Sequence, residues 1–390
     1  MQINQKKYYV IFILSIIFLS FTLRSPIVAL GAIIQPIKES INVSYSSMGI
    51  IGSLPILVFG LCSILVAKFS NKFGVKQSIL TAIIIIIIGG VIRSSLNSFY
   101  TLLLGTIIMS IGIAIANVLL SVAIKTYYPK YIYKLTILQV ITFNISTALA
   151  TALSIPINNS FNWRVALLIW ILIGTPAFFL WIKADKTKNK KIEDAKVIIH
   201  HDSNLNVLKS GFAWQLAFFM GMNSFIAYSL FTWIPTILAF KNVNIELAAS
   251  YNTLFQISGI IGLILLLFIK NLIKIQKLLI TFSIVGLIGM IGIWIFPAFC
   301  LSICMIFLGT SIVICFTLAL TVIGIKTSDP KTTTSLSGMA QTIGYITAST
   351  GPFMIGIFFN KFHNLNIALL VLSISCGIQV ILGYFVGKQK

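Results

Sequence analysis

The chain has 390 residues, 58% hydrophobic and 9% charged, with a mean hydropathy of +1.03. Soluble domains run about 45–50% apolar and about 25% charged, so a water-soluble globular protein is excluded. The net charge of +21, from 28 basic and 7 acidic residues, would suggest nucleic acid as a partner in a soluble chain. Here the bases lie between long apolar runs, which points to a membrane surface and excludes nucleic acid.

A helix needs about 20 apolar residues to cross about 30 Å of hydrocarbon. Taken in chain order, runs of that length fall at residues 8–34, 47–67, 77–95, 98–124, 135–156 and 163–182. A second set follows at 212–240, 248–269, 278–296, 298–325, 335–358 and 365–387. The first run follows Lys6 and Lys7 like a secretory leader, but it is too long, lacks a clear A-x-A site and contains Arg24, so it reads as a span. The expected fold is an all-α membrane protein of twelve transmembrane helices in two six-helix halves, 1–182 and 212–390. Residues 183–211 form a hydrophilic cytoplasmic linker in which Asp185, Glu193, Asp194 and Asp202 collect.

Basic residues set the expected orientation. With the N-terminus inside, only Lys38, Lys241 and Lys361 among the lysines fall outside, so both termini are expected in the cytoplasm. The same basic spacing recurs half a chain later: Lys68, Lys72 and Lys76 as Lys270, Lys274 and Lys277, and Lys125 and Lys130 as Lys326 and Lys331. A six-plus-six repeat of parallel orientation is a transporter architecture, with substrate held at mid-membrane between the halves.

No span holds a carboxylate or a histidine; among groups that could relay a proton only Tyr and Cys remain. The acids Glu39, Glu246 and Asp329 join the four linker acids in loops, and His200, His201 and His363 lie in loops too. A carboxylate proton relay is therefore not expected, nor is an enzyme, which would need a nucleophile with its base or a metal site. His200 and His201 beside Asp202 read as solvated linker. Cys62, Cys300, Cys304, Cys315 and Cys376 read as small buried packing residues, so no metal or cofactor is expected.

Against that background Arg24 lies near the middle of the first span, in FTLRSPIVALGAIIQP, with no acid in any span to pair with it. Burying it costs about 2.5–3.5 kcal/mol on the insertion scale. Two readings fit: a structural arginine bonded to a neighbour's carbonyls, or an anchor whose planar fork completes its pairing with a small anion. Arg93 ends the third span, either snorkelling to the headgroups or steering anions at the outer mouth. Arg164 beside Trp163 reads as an interfacial anchor pair. Further polar residues fall at helical spacing: Asn117 in the fourth span; Tyr228 and Trp233 in the seventh; Asn252, Gln256 and Gly259 in the eighth; Thr310, Thr317 and Thr321 in the tenth; Gln341 and Tyr345 in the eleventh. Each stripe is either interhelical glue or part of a cavity lining.

Several stretches resemble one family. LRSPIVALGAIIQPI (23–37), GIIGSLPILVFGL (49–61), GIAIANVLLSVAIKTYYP (112–129), YSLFTWIPTIL (228–238) and SLSGMAQTIGYITASTGPFMIG (335–356) look like the cyanate porter branch of the major facilitator superfamily, the CynX/NimT-like proteins. The resemblance implies the major facilitator fold and a secondary transporter of a small anionic or polar compound, cyanate-like or a small organic anion. Arg24 matches the family's first-span arginine, and Gln341 and Tyr345 match its LSGMAQ-x-x-GY segment. Ser121 departs from the proline expected after NVLL, Lys326 and Thr327 replace an arginine-bearing loop, and KFSNKFGVK (68–76) lacks the superfamily's acid.

The expectation is alternating access in a bacterial cytoplasmic membrane, with the lipid bilayer and a small-molecule substrate as partners. Arg24 supplies the positive field; Tyr228, Trp233 and Tyr345 form walls; Asn117, Gln256 and Gln341 orient the substrate. The alternatives are efflux of small aromatic, nitroimidazole-type compounds and a non-transporting membrane sensor.

Overall fold

A computed structural model describes residues 2–128, 131–184, 209–268, 275–326, 330–362 and 365–388. The linker acids, His200, His201 and His363 lie outside the described residues. Among the described residues, twelve helical segments are long and apolar enough to cross a membrane, from Lys7–Ala32 to Asn366–Gly387. Each overlaps one expected span.

The helices are α1 (Gln2–Ala32), α2 (Ile34–Ile41), α3 (Tyr45–Phe73), α4 (Val75–Ser95), α5 (Phe99–Tyr127), α6 (Ile132–Ser160), α7 (Trp163–Leu172) and α8 (Thr175–Ala184). They continue as α9 (Gly211–Phe240), α10 (Ile245–Phe268), α11 (Ile275–Ile295), α12 (Leu301–Lys326), α13 (Pro330–Phe362) and α14 (Leu365–Gly387). The sixth span is two helices, α7 and α8, not one. Pro176 in the first turn of α8 has no N–H to continue the ladder, and Gly174 at the break lies so close to Thr22 of α1 that a Cβ there would overlap its hydroxyl.

The chain forms two compact units, Met1–Val43 with Leu61–Ile198, and Ser44–Gly60 with Ile199–Lys390. In the first, α4 lies directly along α5. A Cβ on Gly89 would fall on the Met109 backbone and one on Gly105 on the Arg93 backbone. Small residues that let helix backbones touch are how dispersion holds helices together in lipid. Trp163 is buried, its Nε1 donating to Ser40 Oγ at 3.0 Å, so it seals α7 against α2 and is not the lipid-interface anchor expected of it.

The second unit contains the first half of α3, which the sequence assigns to the other half. Close approach explains the difference. A Cβ on Gly49 would lie 2.7 Å from Pro352 O, one on Gly356 2.6 Å from Tyr45 O, and one on Gly52 2.8 Å from Thr232 Cγ2. Glycine at these positions seats α3 against α13 and α9. At one end of this unit the Lys241 ammonium reaches the carbonyls of Ile293, Trp294 and Phe296 at the end of α11. A cation there offsets the negative end of the helix.

Candidate functional site

In the first unit, Arg24 sits half-buried on α1 with its guanidinium over the Phe143 ring of α6, 5.4 Å from the centroid. A cation on an aromatic face at this range is attractive, more so out of water. The neighbouring hydroxyls turn back on their own helix: Thr22 Oγ1 donates to Phe18 O at 2.9 Å and Ser25 Oγ to Phe21 O at 2.7 Å. Asn117 is half-buried on α5.

Arg93 is not at a headgroup surface. It is 2% exposed, and its Nη1 donates to Pro26 O of α1 at 2.8 Å. Neither snorkelling nor outer-mouth steering suits a guanidinium enclosed in this way; it ties α4 to α1 beside the Pro26 interruption, where the helix ladder is weakened. Arg164 reaches toward Ser95 O at 3.5 Å.

In the second unit, Tyr228 of α9 and Tyr345 of α13 do come together, in one cluster with Ile56 of α3, Ala348 and Phe231. Phe231 stands edge-on to Tyr228, centroids 5.7 Å apart, and meets Phe255 of α10 at 5.5 Å. Phe59 of α3 is edge-on to Tyr345 at 6.1 Å. The result is an aromatic row running from α3 and α13 through α9 to α10. Gln256 lies on α10, one residue past Phe255. Gln341 is exposed, one turn before Tyr345, with its Nε2 donating to Ser337 Oγ at 3.0 Å.

Trp233 is elsewhere. It is fully buried, its Nε1 donates to Pro352 O at 2.9 Å, and its ring packs on Phe359 and Tyr45. With its only donor spent and no surface left, it holds α9 to α13 rather than forming a substrate wall. Thr310, Thr317 and Thr321 likewise donate to carbonyls of their own helix.

Sequence reasoning passed over one polar contact. Gln379 Nε2 of α14 donates to Asn223 Oδ1 of α9 at 2.9 Å, and Asn223 Nδ2 donates to Ile312 O of α12 at 3.2 Å, all of it buried. The available signal was a carboxamide alone in the apolar run LLVLSISCGIQVILGYF. Among the described residues no three His, Cys, Asp or Glu side chains gather as a metal site. The described acids, Glu39 and Glu246, are both exposed.

Residues 10–352 match the family model of the Major Facilitator Superfamily. The chain belongs to that superfamily. It is 30% identical over 384 residues to the 2-nitroimidazole transporter of Escherichia coli (strain K12), covering 98% of this chain and 96% of that protein. It is 29% identical over 382 residues to the transporter YycB of Bacillus subtilis (strain 168), covering 97% and 94%. Its fold is also that of a bacterial homologue of the human lysosomal transporter Spinster, with a TM-score of 0.78 at 14% identity over 97% of each chain. As a member of the superfamily this is a multi-pass membrane transporter of small molecules, not an enzyme.

Proposed function

We propose that this superfamily member is a secondary transporter that carries a small anionic or polar compound by alternating access, in a bacterial cytoplasmic membrane with both termini inside. The observation that carries the reading is Arg24, a guanidinium at the middle of a transmembrane helix, half-buried over the Phe143 ring. A cation at that depth is retained at a cost of kilocalories per mole where it serves a substrate or ion path. Its fork matches the two oxygens of a planar anion. In the first unit Asn117 is a candidate orienting group; in the second, taken by itself, Tyr228 and Tyr345 are candidate walls and Gln256 and Gln341 candidate orienting groups. The charge pattern supports the orientation.

Uptake of labelled small anions into proteoliposomes tests this. Arg24→Ala abolishes anion uptake while the purified protein keeps its helicity and thermal transition. Uptake at the wild-type rate by that variant refutes the assignment.

A second reading, export of small neutral nitroaromatic compounds, is favoured by the aromatic row Tyr228–Phe231–Phe255 and by the likeness to the 2-nitroimidazole transporter of Escherichia coli. Transport of 2-nitroimidazole that survives Arg24→Ala would support it over the anion reading.

A further inference from the structure

The second unit buries two pairs of carboxamides and treats them differently. Asn223 and Gln379 bond to each other and to a carbonyl. Asn252 and Gln256, one turn apart on α10, do not. Asn252 is 0% exposed, and neither its Nδ2 nor its Oδ1 has a hydrogen-bond partner among the described residues; Gln256 is 5% exposed and its Nε2 has none. The other buried orphans among the described residues are serine hydroxyls and the Nε of Arg93.

Each buried polar group without a partner costs about 1–3 kcal/mol, and lipid offers no water to relieve it. A route back to the helix exists for asparagine, since Asn144 Nδ2 donates to Val140 O at 2.8 Å. On α10 itself Thr253 Oγ1 donates to Ala249 O at 3.0 Å. Asn252 uses no such route. Orphaned carboxamides on one helix face, i and i+4, are what a binding surface looks like before its guest arrives.

The unspent groups also suit a particular guest. Asn252 offers two N–H donors and an acceptor oxygen, and Gln256 two more N–H donors. A head with two acceptor oxygens takes a donor from each amide. Phe255 lies between the two amides in sequence and begins the aromatic row to Phe231 and Tyr228, a surface for an apolar ring.

We infer that Asn252 and Gln256 form a hydrogen-bonding subsite for the two-oxygen head, carboxylate or nitro, of a small aromatic substrate. This rests on the transport reading above and adds to it Asn252 and the head-group chemistry.

The test uses three soluble rings that differ only in the head: pyrazole-4-carboxylate, 4-nitropyrazole and pyrazole. Proteoliposome transport and ligand-induced thermal stabilisation are measured for wild type, Asn252→Leu and Gln256→Met. Wild type prefers at least one oxygen-bearing ring over bare pyrazole by about tenfold, the scale of one good hydrogen bond. Both variants bring that preference close to one.

The ligand-free proteins give an independent readout. Replacing an orphaned amide by an apolar side chain raises the thermal transition of Asn252→Leu; a lowered transition means that Asn252 is satisfied within the resting protein and overturns the subsite. A preference that survives both variants overturns the subsite alone and leaves the transport reading standing. Failure of wild type to transport or bind any of the three rings overturns both for this substrate class. A wild-type preference for the nitro ring alone supports the subsite and overturns the anion reading.

Discussion

The Asn223–Gln379 contact gives the sharpest stability prediction. Gln379→Leu removes the donor to Asn223 Oδ1, a bond of 2.9 Å between groups that are 1% and 4% exposed. An enclosed acceptor left without a donor costs about 1–3 kcal/mol in water-soluble proteins. Between helices in lipid the measured mean is about 0.6 kcal/mol, with a maximum of about 1.7 kcal/mol, because separated helices find other partners. Because both amides are enclosed, a loss near the upper membrane figure, about 1.5 kcal/mol, is expected. Asn223→Leu also breaks the bond to Ile312 O and orphans the Gln379 amide, and costs at least as much. The double Leu variant removes both orphans and costs less than either single variant, because paired apolar replacement of a polar contact is nearly neutral. Reversible unfolding of the purified protein in mixed micelles, run as a double-mutant cycle, measures the coupling. Costs that simply add, or a Gln379→Leu variant as stable as wild type, would show that this contact is not a buried bond and refute the reasoning.

Trp233→Phe loses the bond to Pro352 O but keeps a ring against Phe359, so it lowers stability by about 0.5–1.5 kcal/mol. It leaves KM for substrate unchanged, whereas Tyr228→Ala raises KM several-fold; transport kinetics on both variants checks the difference. Gly105→Leu places a Cβ on the Arg93 backbone and costs about 1–3 kcal/mol or more, read as a lost monodisperse peak or a lowered thermal transition. Lys241→Met leaves the carbonyls at the end of α11 without their cation and lowers the thermal transition by the equivalent of about 0.3–1 kcal/mol. Because Glu39 and Glu246, the described acids, are exposed, transport of a permanently ionised substrate responds weakly to an imposed pH gradient. One proton carried per substrate molecule would contradict that.

The amino-acid sequence alone determined the number, order and approximate limits of the spans. Crossing hydrocarbon is a local demand of about 20 apolar residues, met within each segment by its own side chains and helical hydrogen bonds. Family membership was legible for a related reason: LRSPIVALGAIIQPI and SLSGMAQTIGYITASTGPFMIG carry their pattern in contiguous residues. The break between α7 and α8 was half legible, in Gly174 and Pro176, although the hydropathy of the run concealed it.

Only the tertiary structure decided what each polar side chain does, because a side chain's partner lies across a helix gap and far along the chain. Arg93 finds Pro26 O 67 residues away, Trp233 finds Pro352 O 119 residues away, and Gln379 finds Asn223 156 residues away. Residues of one apparent class thus separated into ties and open groups. Trp233 and Arg93 each bond a carbonyl of another helix, while Asn252, which looks no different in sequence from Asn223, has no hydrogen-bond partner for its amide among the described residues. The first half of α3 also changed sides, because Gly49 and Gly52 admit the backbones of α13 and α9 at distances that hydropathy does not register.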